Sequence, residues 1–148
     1  MNKWSKYFMC IAENTKNLSK DPKVQVGAVI TKNKKILSIG YNGAPRKFPD
    51  ELVPTNNDGI KLIDKKRTFM CHAELNAILN YEGHLKNIEG ADIYVTTSPC
   101  SKCAIMLAQI GVKRVIYKEQ YHKDEEVEAT EYIFKNCNID YIKYKEED

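Results

Sequence analysis

His72 stands two residues before Glu74 in the run TFMCHAELNAI, Thr68 to Ile78, and Cys100 stands three residues before Cys103 in TTSPCSKCAIMLAQI. On a regular α-helix, with about 3.6 residues per turn, side chains two apart point about 200° away from each other. His72 and Glu74 can therefore share a target only at a helix start, where the chain is still leaving a loop and side chains reach around the end. Cysteines three apart in a first helical turn lie on one face. A helix N-terminus also lowers thiol pKa and favours the thiolate that binds metal. Two thiolates and the His72 imidazole supply three ligands of a tetrahedral zinc site whose fourth position stays open, as catalytic zinc requires. Zinc lowers the pKa of bound water to about 7, and two thiolates already neutralise the ion, which makes a nearby base more useful. Glu74 is placed to take a proton from that water and hand it on, acid and base work worth roughly 10²–10⁴ in rate.

Those residues have to be brought together by a scaffold. Trp4, Phe8, Ile11, Thr15 and Leu18 recur at spacings of four and three, which predicts one buried helix face, and Asp21-Pro22 breaks that helix. Lys23 to Ile30 and Ile36 to Tyr41 are strand-like and flank the turn KNKK, so they predict a β-hairpin. From Asn42 to about Phe69 runs a long segment with Pro45, Pro49, Pro54, Gly43 and Gly59, longer than a usual connection and of the kind that carries function. A helix starts near His72. Ala91 to Thr97 is a third strand, and Ala104 to Ile110, apolar on nearly every side, is a helix covered on two faces or at a subunit contact, ending at Gly111. Lys113 to Tyr117 is a fourth strand, Glu125 to Asn136 a helix with Val127, Thr130, Ile133 and Phe134 inward, and Ile139 to Tyr144 a fifth strand. The order α-β-β-α-β-α-β-α-β predicts a three-layer α/β/α fold with a five-stranded mixed sheet covered by helices on both faces. Both ligand groups then sit where a loop or strand meets a helix start, and in an open α/β sheet such starts face a common crevice.

A chain of 148 residues, 43% apolar and 29% charged, has the size and composition of a single globular domain over residues 1–148, with KEED as a solvated tail. A net charge of +3, with acids mixed throughout, is too mild to mark a nucleic-acid binder, while anionic small molecules remain suitable. The N-terminal run MNKWSKYFMCIAENTKNL carries charges every few residues, unlike a signal peptide, and no stretch reaches the ~20 apolar residues that span a bilayer. A cytoplasmic protein with no membrane partner is expected. Five cysteines, an odd number, point to reduced thiols or metal ligands rather than a disulfide framework. Cys10 and Cys137 read as small core residues, and His84 and His122 as exposed side chains that a second metal site could recruit.

H-x-E followed by P-C-x-x-C is the signature of zinc-dependent nucleobase deaminases. The chain resembles the deoxycytidylate (dCMP) deaminases of the cytidine deaminase-like superfamily through WSKYFM, SKDPKVQVGAVI, GYNGAPR, CHAELNAI, SPCSKCAIMLAQIGVKRVIY and QYHKDEEVEAT, which together cover most of it. GYNG with the long insertion before HAELNAI points to the dCMP branch rather than the tRNA adenosine branch. The resemblance implies hydrolytic deamination of dCMP to dUMP with release of ammonia, feeding thymidylate synthesis, by a zinc-held hydroxide attacking C4 of cytosine. It implies one catalytic Zn2+ per chain on His72, Cys100 and Cys103, and Glu74 as the proton shuttle. It further implies that Asn42 binds the deoxyribose, that the Ala73 backbone contacts the base, and that Ser98 and Tyr121 belong to the pocket wall. Many relatives carry arginine before the serine of SKDP, where this chain has Leu18, so Ser19, Lys20 and Lys23 become the local substitutes for a phosphate anchor. The glycine-rich loop also departs from the family, with Lys47 after Arg46. The resemblance implies a homo-oligomer, a hexamer in the family, activated by dCTP with Mg2+ and inhibited by dTTP through Gly40, Gly43 and Arg46.

Plainer readings stand beside these. Cys71 adjoins His72 and offers a fourth thiol that would close the site and make the zinc structural, although adjacent side chains diverge and Glu74 would then have no task. Asn42-Gly43 is also a turn signal, and Arg46, Lys47, Lys65, Lys66 and Arg67 could attract phosphate, although scattered charges on a loop read first as simple solvation. Two other function classes remain: a base within RNA or DNA as substrate, which calls for a basic surface with stacking aromatics, and a binding module with structural zinc.

Overall fold

The computed structural model describes residues 1–146, so Glu147 and Asp148 of the expected tail lie outside the described residues; Lys145 and Glu146 are exposed. Helix α1 (Lys3–Lys16) begins at Asn2, whose Oδ1 accepts from the Ser5 N–H at 2.9 Å, supplying one of the partners a helix start lacks. Its buried face is Phe8, Met9, Ala12 and Thr15. The expected stripe is corrected at both ends: Trp4 is exposed, and Leu18, 58% exposed, lies beyond the helix, which stops at Lys16. Cys10, on the outer side of α1, and Cys137, just past the last helix, are exposed rather than core residues, because the buried spacing runs through 8, 9, 12 and 15 and not through 10.

The hairpin is β1 (Gly27–Lys32) and β2 (Lys35–Tyr41). Its two turn residues, Asn33 and Lys34, have φ of 53° and 62°, and Lys32 pairs with Lys35, the geometry of a type I′ turn whose twist matches its strands. The first strand begins at Gly27, four residues later than the β-branched run predicts, since residues 23–26 turn along the sheet end instead. A short helix α2 (Ala73–Leu79) is followed by β3 (Asp92–Thr97), α3 (Ser101–Ile110), β4 (Arg114–Glu119), α4 (Asp124–Asn136) and β5 (Asp140–Lys143). The strand order is β2-β1-β3-β4-β5, with β1 antiparallel to both neighbours and β3, β4 and β5 parallel. The expected mixed five-stranded sheet is thus present. The long segment between β2 and α2 contains only three single-turn 3-10 helices, at Asp50–Leu52, Leu62–Asp64 and Lys66–Thr68.

Strand periodicity sorts the core into two layers. Val29, Tyr94 and Ile116 face α1, where they meet Phe8, Met9 and Ala12. Ala28, Ile30, Ile93, Val95 and Val115 face the other way, against Ala73 and Ala77 of α2, Ala104 and Leu107 of α3, and Phe134 of α4. Helix α3 ends as its sequence predicts, on Gly111 in the left-handed region at φ 87°. Its Cys103, Ala104 and Leu107 are buried, Met106, Ala108 and Ile110 are half-buried against the same core, and Ile105 is exposed. No helix among the described residues is long and apolar enough to cross a membrane.

Close packing of helices on the sheet depends on two glycines. A Cβ on Gly27 would lie 2.1 Å from the Ala12 carbonyl oxygen, and one on Gly40 would lie 2.2 Å from the Ala77 nitrogen. Both obstacles are backbone, so α1 and α2 would have to move. Gly27→Ala is expected to cost about 3 kcal/mol, the upper end for overpacking, measured as a fall in the midpoint of urea unfolding with an unchanged slope.

Candidate metal centre and active site

Each half of the site is a helix start. His72 is the N-cap of α2, in extended conformation, and Cys100 is the N-cap of α3 immediately after β3. The Cys100 Sγ accepts from the Cys103 backbone N–H at 3.5 Å, so the thiol itself caps the helix. Across the crevice the His72 Nδ1 lies 3.3 Å from the Cys103 Sγ and 3.5 Å from the Cys100 Sγ. All three donor atoms fall within 4.8 Å of one another. A tetrahedral zinc with the usual bond lengths sets its nitrogen and sulfur ligands ~3.5 Å apart, so the cluster has the dimensions of a zinc site. Cys71 does not join it: its Sγ donates to the Asn76 Oδ1 at 3.0 Å, and its backbone is tied to Gly43 by two hydrogen bonds.

The electrostatics agree with that donor set. A hydrogen bond from Cys103, joined by His72 and the α3 backbone N–H, lowers the Cys100 thiol to about 4. Cys103, donating to that thiolate and buried, is pushed upward. Two thiols this close contend for one negative charge, and a cation between them lets both ionise. The Cys100 contact raises the His72 imidazole. Glu74, in the first turn of α2 and 4% exposed, is raised above the usual carboxylate range by burial, with His72 opposing the shift. A buried carboxyl of raised pKa beside a ligand cluster is suited to carrying protons near neutrality.

The cluster opens into a cavity of about 170 Å³ at the sheet end where β2 and β3 finish and β1 starts. His72, Ala73, Glu74 and Cys100 line it, joined by the expected Asn42, Ser98 and Tyr121. Asn42 is buried with its amide already engaged, Oδ1 accepting from the Val26 N–H at 2.9 Å and Nδ2 donating to the Val24 carbonyl at 2.8 Å. It shapes the mouth of the cavity as well as facing it. The Ser98 Oγ accepts from the Tyr121 N–H at 3.2 Å, which fixes the strand exit against the loop carrying that tyrosine.

Other expected residues lie elsewhere. Ser19 is buried behind the wall, its Oγ donating to the Asn42 carbonyl, and Lys20 is exposed and paired with Asp50 at 3.1 Å; neither lines the cavity, and Lys23 does not either. Gly40 is pressed against α2, whereas Gly43 and Arg46 lie outside the cavity. His84 is exposed, but His122 is half-buried, lines the cavity and meets Tyr121 edge to face, 5.6 Å between ring centroids.

Five contributors take their place only in the folded chain. Asp21, Lys66 and Arg67 line the cavity because the long β2–α2 segment folds back over the α1–β1 loop, fastened by the Lys66–Asp21 ion pair. Glu126 of α4 accepts from the Ser101 N–H and is held below its usual range by that bond, while Thr130 donates to the Pro99 carbonyl, so α4 braces the cysteine turn. The advance signals were the cations Lys66 and Arg67, able to attract phosphate, the inward spacing of Thr130, and Glu126 in the acidic first turn of α4.

A His/Cys/Cys cluster with a buried carboxyl, at helix starts along one end of a mixed sheet, defines an α/β metalloenzyme. The family profile described as the cytidine and deoxycytidylate deaminase zinc-binding region matches residues 2–119. The chain belongs to that family. It is 38% identical over 143 residues to the deoxycytidylate deaminase of Mus musculus and 36% to that of Homo sapiens, covering 95% of this chain and 79% of each relative. Among solved structures it is similar to the dCMP deaminase of cyanophage S-TIM5, with a TM-score of 0.75 and 26% identity over 97% of this chain and 99% of the other for the apo form. The form of that phage enzyme in complex with dCMP and dUMP matches equally well, at a TM-score of 0.75 and 25% identity over 97% and 98% of the two chains.

Proposed function

We propose that this chain hydrolyses dCMP to dUMP and ammonia, a supply of dUMP for thymidylate synthesis. The observation that carries the reading is Glu74, buried at the wall of the cavity beside the His72, Cys100 and Cys103 donor set. Relatives of high coverage named deoxycytidylate deaminases support dCMP as the substrate.

His72, Cys100 and Cys103 would hold one Zn2+, which when bound polarises a water for attack. The rest falls to the chain's own groups. Glu74 takes a proton from the attacking water and delivers it to the ring nitrogen N3 as oxygen adds at C4. It then passes the second proton to the departing amine, so the C4–N bond breaks and ammonia leaves. The Ala73 N–H, at the first position of α2 where helix donors lack intrahelical partners, orients the base. Asn42 positions the deoxyribose, and Ser98 and Tyr121 close the wall.

Regulation belongs to the same reading: dCTP with Mg2+ as activator and dTTP as inhibitor in a cytoplasmic homo-oligomer, a hexamer as in the family. Gly43 and Arg46 lie outside the cavity, so an effector held there would not compete with substrate. Exposed Ile36, Ile39 and Tyr41 on the edge strand β2, and Ile105 on α3, offer apolar surface for subunit contact.

The test is ammonia release by zinc-loaded protein from dCMP, CMP, deoxycytidine, dCTP and single-stranded oligonucleotides, each with and without dCTP or dTTP. Selective turnover of dCMP is expected. Turnover of an oligonucleotide alone, or of nothing while zinc remains bound, would overturn the assignment.

A further inference from the structure

The cavity wall carries a charge that the chemistry above does not use. Its ionisable groups apart from the metal ligands and the Tyr121 phenol are Asp21, Lys66, Arg67, Glu74 and His122. Asp21 and Lys66 cancel: they form an ion pair at 2.5 Å with side chains only 2% and 13% exposed, and the Asp21 Oδ1 also accepts from the Lys23 N–H at 2.9 Å and the Val24 N–H at 3.1 Å. Burial works against the Asp21 charge, but the Lys66 ammonium and those two N–H groups outweigh it and keep the carboxyl below its usual range. Glu74 is committed to the reacting centre. Arg67 and His122 are left; the His122 ring packs edge to face on Tyr121 and faces the Glu126 carboxylate, whereas among the described residues the Arg67 guanidinium enters no ion pair. Its backbone is fixed, however, the Arg67 N–H donating to the Asn57 Oδ1 at 2.7 Å, and Asn57 lines the same cavity.

We propose that Arg67 is the anchor for the 5′-phosphate of the nucleotide and so sets the preference for a monophosphate over a nucleoside. An unpaired guanidinium presents a planar fork of donors that matches phosphate oxygens two at a time. The buried Asp21–Lys66 pair positions it, since Lys66 is the neighbouring residue and its tether to Asp21 fastens the segment onto the α1–β1 loop. The positions next to the SKDP run that offered themselves as anchors are taken or misplaced: Leu18 is exposed and uncharged, Ser19 is spent on Asn42, and Lys20 is paired with Asp50 away from the cavity. The inference rests on the nucleotide reading of the site.

Two readouts separate the inference from that reading. Wild type, Arg67→Ala and Arg67→Lys are compared for deamination of dCMP and deoxycytidine, and for calorimetric binding of dUMP and deoxyuridine, which needs no turnover. Arg67 is exposed, so the variants keep the fold. The ratio of kcat/KM for dCMP over deoxycytidine is expected to fall by about 10–100-fold in Arg67→Ala, the loss of one charged hydrogen-bonding partner. Most of the fall should appear in KM, with partial recovery in Arg67→Lys. Binding of dUMP should weaken by a similar factor while deoxyuridine binding holds. Undiminished dUMP affinity in Arg67→Ala, or equal losses for nucleotide and nucleoside, would overturn the anchor whatever the enzyme turns over. Failure of the wild type to deaminate dCMP would instead overturn the functional reading.

Discussion

Glu74→Gln is expected to abolish deamination while leaving one zinc bound per chain. The glutamine keeps the size of the side chain and its place in the first turn of α2, the contacts among His72, Cys100 and Cys103 do not run through it, and its amide can still hydrogen-bond the Cys103 sulfur that Glu74 meets. It loses only the ability to take and give a proton. The expected fall in kcat is roughly 10²–10⁴, the usual worth of acid and base catalysis, and larger if the same carboxyl serves both transfers. Substrate binding should be nearly unchanged, because a transition-state interaction is removed and not a ground-state one. The decisive pair of measurements is kcat with bound zinc determined on the same preparation. Retained turnover, or zinc lost along with activity, would show that Glu74 supports the metal and not the reaction.

The second large effect separates a cysteine that holds the metal from one that only adjoins a ligand in the sequence. Cys103→Ala removes a buried donor from a set of three and should drop zinc from near one per chain to near none, with activity lost in proportion. Cys71→Ala, beside His72 in the chain, should keep its zinc, because that thiol turns to Asn76. Zinc lost from Cys71→Ala would mean a closed, four-ligand structural site. Removal of the metal by a chelator should likewise stop turnover and be reversed by added Zn2+, whereas a structural zinc would take the fold with it.

The parts legible in sequence were those governed by local physics. The odd spacing of His72 and Glu74 required a helix start, and His72 is indeed the N-cap of α2. Gly111 ended α3 for the reason glycine usually does, and the alternation of strands and helices gave the order of elements along the chain and a mixed five-stranded sheet, though not the spatial order of its strands. What escaped was settled by packing between distant segments. Leu18 fits a helical stripe by spacing, yet α1 ends two residues earlier where Asn17 caps it, so the leucine has no face to bury. Cys10 and Cys137 look like core residues by type, but the sheet meets other positions of α1, and Cys137 lies at the cap just past α4. Lys66 and Arg67 read as loop charges because nothing local shows that a segment of weak periodicity folds onto Asp21 and over the cavity. The resemblance points to residues 18–23 for the phosphate anchor, while the arginine and lysine that line the cavity are Arg67 and Lys66.

One experiment bears most directly on the claim that this chain is a hydrolytic deaminase of dCMP. Zinc-loaded protein is incubated with dCMP in water enriched in oxygen-18, and the products are followed by mass spectrometry together with ammonia. The expected result is dUMP carrying one solvent oxygen at C4, formed in equal amount with ammonia and absent from the Glu74→Gln control. Recovery of unchanged dCMP from protein with its zinc in place would contradict the assignment.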